Sequence, residues 1–60
     1  MRTTPIKVML VDDHHSLLWG LSKLIEGAAP DYALAGVASQ PHEALEVARR
    51  TAPDVVLLDL

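Results

Sequence analysis

Two stretches of the chain run apolar without a break and then stop on carboxylates. Val8–Val11 reads V-M-L-V and meets Asp12 and Asp13; Val55–Leu58 reads V-V-L-L and meets Asp59, with Asp54 leading in. A short apolar run bounded by polar residues suits a strand buried on both faces, the kind found inside parallel sheets. The first run predicts a strand over Ile6–Val11, after a lead-in at Met1–Pro5. The second predicts a buried strand over Asp54–Leu60. A third strand is predicted at Tyr32–Ala38, although Ala and Gly36 are poor strand formers. Between the strands the period changes. Leu17, Leu18, Leu21, Leu24 and Ile25 share one helical face, which predicts a helix over Ser16–Glu26 after a polar connection at Asp12–His15. Gly20 within it costs ~1 kcal/mol relative to Ala, and close packing on a strand would account for it. Gly27 suits the C′ position and Pro30 stops any continuation. Ser39 or Gln40 caps a second helix, with Pro41 in its first turn and Glu43 near its positive end. That helix runs to about Arg50, with Ala44, Leu45 and Ala48 facing inward. Arg49 and Arg50 suit its negative end, and Thr51-Ala52-Pro53 closes it.

The predicted order is β-α-β-α-β, which calls for an α/β fold with a parallel sheet. Right-handed crossovers restrict the topology. With the first strand between the other two, the order is 2-1-3, the sheet is doubly wound, and the helices lie on opposite faces. The first and third strands then meet at the point where the chain reverses direction, the place where open α/β sheets keep their chemistry. Their carboxyl ends bring Asp12, Asp13 and Asp59 together.

Composition narrows the partners. Sixty residues allow one domain, and a chain of this size buries only ~60% of the surface it exposes when unfolded. Half the residues are hydrophobic, yet the only aromatics are Trp19 and Tyr32, so the core is aliphatic. The net charge of −3, with no basic patch, argues against nucleic-acid binding by this segment. Cysteine is absent, which excludes a disulfide framework and thiolate chemistry and fits a reducing compartment. No run is long enough to span a membrane, and no signal peptide is visible, so the expected compartment is the cytoplasm.

Clustered carboxylates repel. Two unit charges ~4 Å apart cost about 4 kcal/mol at an effective dielectric near 20, so a retained cluster implies something that offsets the cost. A hard divalent cation does so: Mg²⁺ takes oxygen ligands, commonly one or two carboxylates, and keeps several waters. A carboxylate can also be a nucleophile that forms an aspartyl phosphate with metal assistance. The competing reading makes Asp12 or Asp13 a helix cap and Asp59 a solvated strand end.

V-M-L-V-D-D-H, the L-x-x-G-L helix and P-D-V-V-L-L-D-L together resemble the first half of a bacterial response-regulator receiver domain, most closely the NarL/FixJ type. The resemblance covers essentially the whole chain at the right spacing. It implies the β-α-β-α-β portion of a flavodoxin-like doubly wound sheet, with residues 1–60 as the N-terminal part of the receiver. It makes Asp59 the phosphoacceptor and gives Asp12, Asp13 and Asp59 to Mg²⁺. It further implies a histidine kinase or small phosphodonor as partner, and a role as acceptor rather than enzyme. In the full-length protein a helix-turn-helix output domain would follow, the only route to DNA. The chain departs from the family's usual pattern at His15, often Pro, at Leu18, often Arg, and at Trp19, usually polar. The family's backbone carbonyl metal ligand past Asp59, its switch Ser/Thr, its phosphate-pairing Lys and its output domain all lie outside these residues. Phosphate acceptance by the 60 residues alone is therefore expected to be poor. The alternative is a half-receiver that binds partners or itself, through receiver surfaces or the bare edge of the third strand, without accepting phosphate.

Other candidates carry less. Asp12-Asp13-His14-His15 puts four possible ligands in a row, but adjacent side chains rarely converge on a transition metal. His14 is expected to shape the loop beside the acids, and His15 and His42 to sit in solvent at helix starts. Trp19 lies about 200° round the helix from the apolar stripe, as an interface anchor or as cover for the helix flank. The three glycines are isolated, so no phosphate-cradling loop exists.

Overall fold

A computed structural model describes residues 4–59. Of the expected lead-in, only Thr4 and Pro5 fall within that range, and Leu60 lies outside it. The elements are β1 (Ile6–Val11), α1 (His15–Gly27), β2 (Tyr32–Ala38), α2 (Pro41–Thr51) and β3 (Val55–Leu58). The three strands form one parallel sheet in the order β2-β1-β3. This is the predicted topology, the order of the first three strands of a flavodoxin-like sheet.

β1 is the spine. It pairs with β2 from Ile6↔Tyr32 to Val11↔Ala38, and with β3 from Val8↔Val55 to Val11↔Leu58. The β1–β2 register slips between Val8 and Met9, so that Leu34 and Gly36 are successive partners and Ala35 is bypassed. The buried hydrophobic residues are Val8, Met9, Leu10, Val11 and Ala38. Met9 and Leu10, each 1% exposed, contribute about 1.5–3 kcal/mol apiece by burial. Side chains alternate along β1. Met9 and Val11 pack with Ala38 beneath Ala44, Val47 and Ala48 of α2. Val8 and Leu10 line clefts shared with Leu17, Leu21, Leu24 and Ile25 of α1. The helices thus cover opposite faces.

The periphery departs from expectation in several places. β3 spans Val55–Leu58 rather than 54–60, and all four of its residues are exposed rather than buried. Only β1 pairs with it, and neither helix packs on it. Asp54 lies just outside the strand but is tied to β1 twice. Its N–H donates to the Lys7 carbonyl and its Oδ2 accepts from the Lys7 N–H, both at 2.8 Å. α1 begins one residue early and includes Gly27, so that Ala28 takes the C-cap. On its apolar stripe Leu18, Leu21 and Ile25 are half-buried, while Leu17 and Leu24 stay exposed because α1 reaches only β1 and β2.

α2 ends at Thr51, and Val47 rather than Leu45 faces the sheet with Ala44 and Ala48. Leu45 projects past the covered part of the sheet toward β3, into a groove it shares with Val56 and Leu58. Gln40 occupies the N-cap without a side-chain bond to the helix, and the Ser39 hydroxyl instead donates to Glu43 Oε1 at 3.1 Å. Ala52, at φ 47°, closes α2 in the left-handed conformation usually left to glycine. No helix among the described residues is long and apolar enough to cross a membrane.

The close approach expected at Gly20 is found at Gly36 instead. Gly20 faces open space: a Cβ there would meet nothing within 4 Å. Gly36 is the close approach, since a Cβ would come 2.6 Å from Val47 Cγ1. Valine is stiff at χ1 and cannot swing aside freely. Gly20→Ala should therefore raise unfolding stability by roughly 0.4–1 kcal/mol, and Gly36→Ala should lower it by about 1–3 kcal/mol. Urea unfolding followed by circular dichroism checks both, and equal effects at the two positions would contradict the packing described.

Candidate functional site

The carboxyl ends of β1 and β3 are fixed by backbone bonds one residue past each strand. Asp12 N–H donates to the Ala38 carbonyl at 3.1 Å, and Asp59 N–H donates to the Val11 carbonyl at 3.0 Å. Both acids therefore leave the sheet from hydrogen-bonded positions on neighbouring strands. Their burial differs sharply. The Asp12 side chain is 3% exposed and that of Asp59 54%. Asp13, next along the chain, points outward at 77%.

His14 closes the group. Its backbone N–H and its ring Nδ1 both lie 2.8 Å from Asp12 Oδ1, so a short side-chain-to-backbone turn folds the imidazole back over the acids. The same Nδ1 is 3.1 Å from Asp13 Oδ1 and 3.8 Å from Asp59 Oδ2. Asp12, His14 and Asp59 each offer a ligand atom within 4.8 Å of the other two. Asp13 touches His14 but stands outside that set. The structure thus brings Asp12 and Asp59 together and leaves Asp13 on the solvent side of the imidazole. It also adds His14, whose part in the group was visible in the sequence only as its adjacency to the acids. His15 and His42 are exposed in the first turns of α1 and α2, away from this set. Trp19 is 67% exposed, with Lys23 Nζ 5.7 Å from its ring centroid, a surface cation–π contact.

The electrostatics follow from these contacts. The His14 backbone N–H holds the Asp12 carboxyl below its ordinary pKa. Burial opposes this, and the His14 ring and the Asp59 side chain assist it. The bond to Asp12, and then the charges of Asp13 and Asp12, raise the His14 pKa. Asp12 Oδ2 is buried and accepts no hydrogen bond among the described residues. An uncompensated buried carboxylate oxygen is costly, and a divalent cation beside Asp12 and Asp59 would satisfy it. An oxygen-rich pocket open to water on the Asp13 side fits Mg²⁺, which keeps much of its hydration shell.

The two pKa shifts act on stability at opposite ends of the pH scale. The lowered Asp12 value contributes stability above the unfolded carboxylate pKa of about 3.9, lost as pH falls through the folded value. The raised His14 value contributes stability below the unfolded imidazole pKa of about 6.5, lost as pH rises through the folded value. In metal-free buffer the thermal midpoint should therefore plateau between about pH 4 and 6.5 and decline on both sides. His14→Asn should flatten the alkaline decline. Circular-dichroism melts in the presence of a chelator test this, and a midpoint that climbs above neutral pH would contradict it.

Known proteins with similar sequences include response regulators and a methylesterase. The nitrate/nitrite response regulator protein NarL of Escherichia coli K12 is 41% identical over 56 residues, covering 93% of this chain and 26% of that protein. The transcriptional regulatory protein LiaR of Bacillus subtilis is 42% identical over 55 residues, covering 92% of this chain and 26% of LiaR. A protein-glutamate methylesterase/protein-glutamine glutaminase of Treponema pallidum is 43% identical over 58 residues, covering 97% of this chain but 14% of that enzyme. The chain thus spans about a quarter of the length of the two regulators. No family model matches it, and no solved structure matches it significantly. The same stretch thus occurs in two regulators and in an enzyme, and in this chain it forms a three-stranded 2-1-3 sheet. The chain belongs to the response-regulator receiver family, as part of a receiver domain.

Proposed function

We propose that the chain accepts a phosphoryl group on Asp59, with Asp12 and Asp13 holding Mg²⁺ beside it. The observation that carries this reading is the meeting of Asp59 with a buried, half-partnered Asp12. Asp59 is about half exposed, so an incoming phosphodonor can reach it; Asp12 is held from below. In the transfer, an Asp59 carboxylate oxygen forms a bond to phosphorus while the donor's P–N or P–O bond breaks; a histidine leaving nitrogen takes up a proton from solvent, and an acyl phosphate releases its carboxylate. Bound Mg²⁺ would neutralise charge on the transferred group. Asp12 would keep the cation at the sheet, and Asp13 would reach it from the solvent side. The donor is a histidine kinase or a small phosphodonor, and the chain is the recipient of the group rather than an enzyme. In a longer protein the event would bias an output domain, as in transcription regulators, and any contact with DNA would run through that domain.

A second reading has its own support. Val55–Leu58 are 42–58% exposed, and one edge of β3 is unpaired among the described residues. Such an edge recruits another strand, and a second copy of the chain supplies one. Self-association without phosphate acceptance would make this an interaction module.

Two measurements test these readings. Intact-mass analysis after incubation with Mg²⁺ and an acyl phosphate should show a low-yield gain of one phosphoryl group, absent in Asp59→Ala and without Mg²⁺. A gain that persists in Asp59→Ala would exclude the assignment. Sedimentation velocity should show concentration-dependent association of the chain, shifted toward monomer by Val56→Lys. A wild-type chain that stays monomeric at all concentrations would rule out the edge as an interface.

A further inference from the structure

We propose that the acidic pocket binds its cation through the imidazole Nδ1 of His14 as well as through Asp12 and Asp59, and so takes a borderline first-row ion such as Co²⁺ or Zn²⁺ in preference to Mg²⁺. This rests on the cation-site reading above and adds a nitrogen ligand to it.

The geometry makes the case. Two atoms that share an ion at about 2.1 Å, at angles of 90–110°, lie roughly 3.0–3.4 Å apart. His14 Nδ1 stands 2.8 Å from Asp12 Oδ1 and 3.8 Å from Asp59 Oδ2, which brackets that separation. Small side-chain rotations suffice to open the first distance and close the second. The imidazole is also held in place: the His14 N–H bond to Asp12 Oδ1 fixes the turn that carries the ring, so Nδ1 faces the carboxylates rather than bulk water. An independent observation asks for a ligand here. Asp12 Oδ2 is buried, on a side chain 3% exposed, and has no hydrogen-bond partner among the described residues.

Ligand softness then sets the ion class. Carboxylate and water alone suit Mg²⁺, whereas imidazole suits the later first-row metals. Neighbouring ligands seldom converge because successive side chains diverge. Here the ligands at Asp12 and His14 are two residues apart in a turn, and the third, Asp59, comes from the adjacent strand.

The test is binding of Co²⁺ and Mg²⁺ to the full chain, with a spectroscopic signature of the nitrogen ligand. Proton NMR of the Co²⁺-loaded chain should show a far-shifted, solvent-exchangeable imidazole N–H resonance. That signal should persist in His15→Gln and vanish in His14→Phe. The ratio of Co²⁺ to Mg²⁺ affinity should fall by about tenfold or more in His14→Phe. His14 is largely exposed, so the variant should fold, and the wild-type resonance is decisive on its own. Absence of the resonance in the Co²⁺-bound wild type would overturn the proposal, as would an affinity ratio unchanged by His14→Phe. If both ions bind without dependence on His14, the nitrogen ligand is wrong and the carboxylate site stands. If neither ion binds, both fall.

Discussion

β1 is hydrogen-bonded along both edges and covered on both faces, and the rest of the structure depends on that double enclosure. Four of the five buried hydrophobic side chains among the described residues belong to it. The stretch enclosed in this way, Val8–Val11, is apolar throughout, since neither face meets water. Its central position also puts the two crossovers, β1 to β2 through α1 and β2 to β3 through α2, on opposite sides of the sheet, because each is right-handed. The juxtaposition of Asp12 with Asp59 follows. Each acid sits one residue beyond a paired strand end, and each is anchored by a backbone bond across the sheet.

Burial falls away from that spine. Ala38 is the only buried residue of β2, the helices have none, and β3 has all four residues exposed. Local opening is easiest where few apolar contacts hold a segment. The two principal acids therefore stand on unequal supports. Asp12 rises from the most protected strand and Asp59 from the least protected. Asp59 is accordingly about half exposed, while Asp12 is buried.

Inside the pocket, His14 changes the electrostatic picture. Carboxylates converging at strand ends would repel strongly at low dielectric. The imidazole hydrogen-bonds Asp12 and lies close to Asp13 and Asp59. When protonated it supplies an internal positive charge where a cation would otherwise be needed.

Periodicity determined the five elements and the parallel sheet; the 2-1-3 order was one arrangement that right-handed crossovers allow, and the resemblance to receiver domains implied it. The approach of Asp12 to Asp59 was legible from that order: each follows an apolar run directly, so the strand ends place them. Tertiary structure decided what depends on neighbours rather than on pattern. β3 reads as a buried strand, yet a strand is buried only by what packs on it, and no helix reaches its faces. Leu45 and Val47 are equally apolar, and only the crossing of α2 over the gap at Gly36 selects Val47 for the sheet. Asp13 and His14 are adjacent in sequence, yet the turn closed by Asp12 sends one outward and folds the other over the acids. Those choices rest on backbone direction and on which hydrogen bonds are made, neither of which hydropathy records.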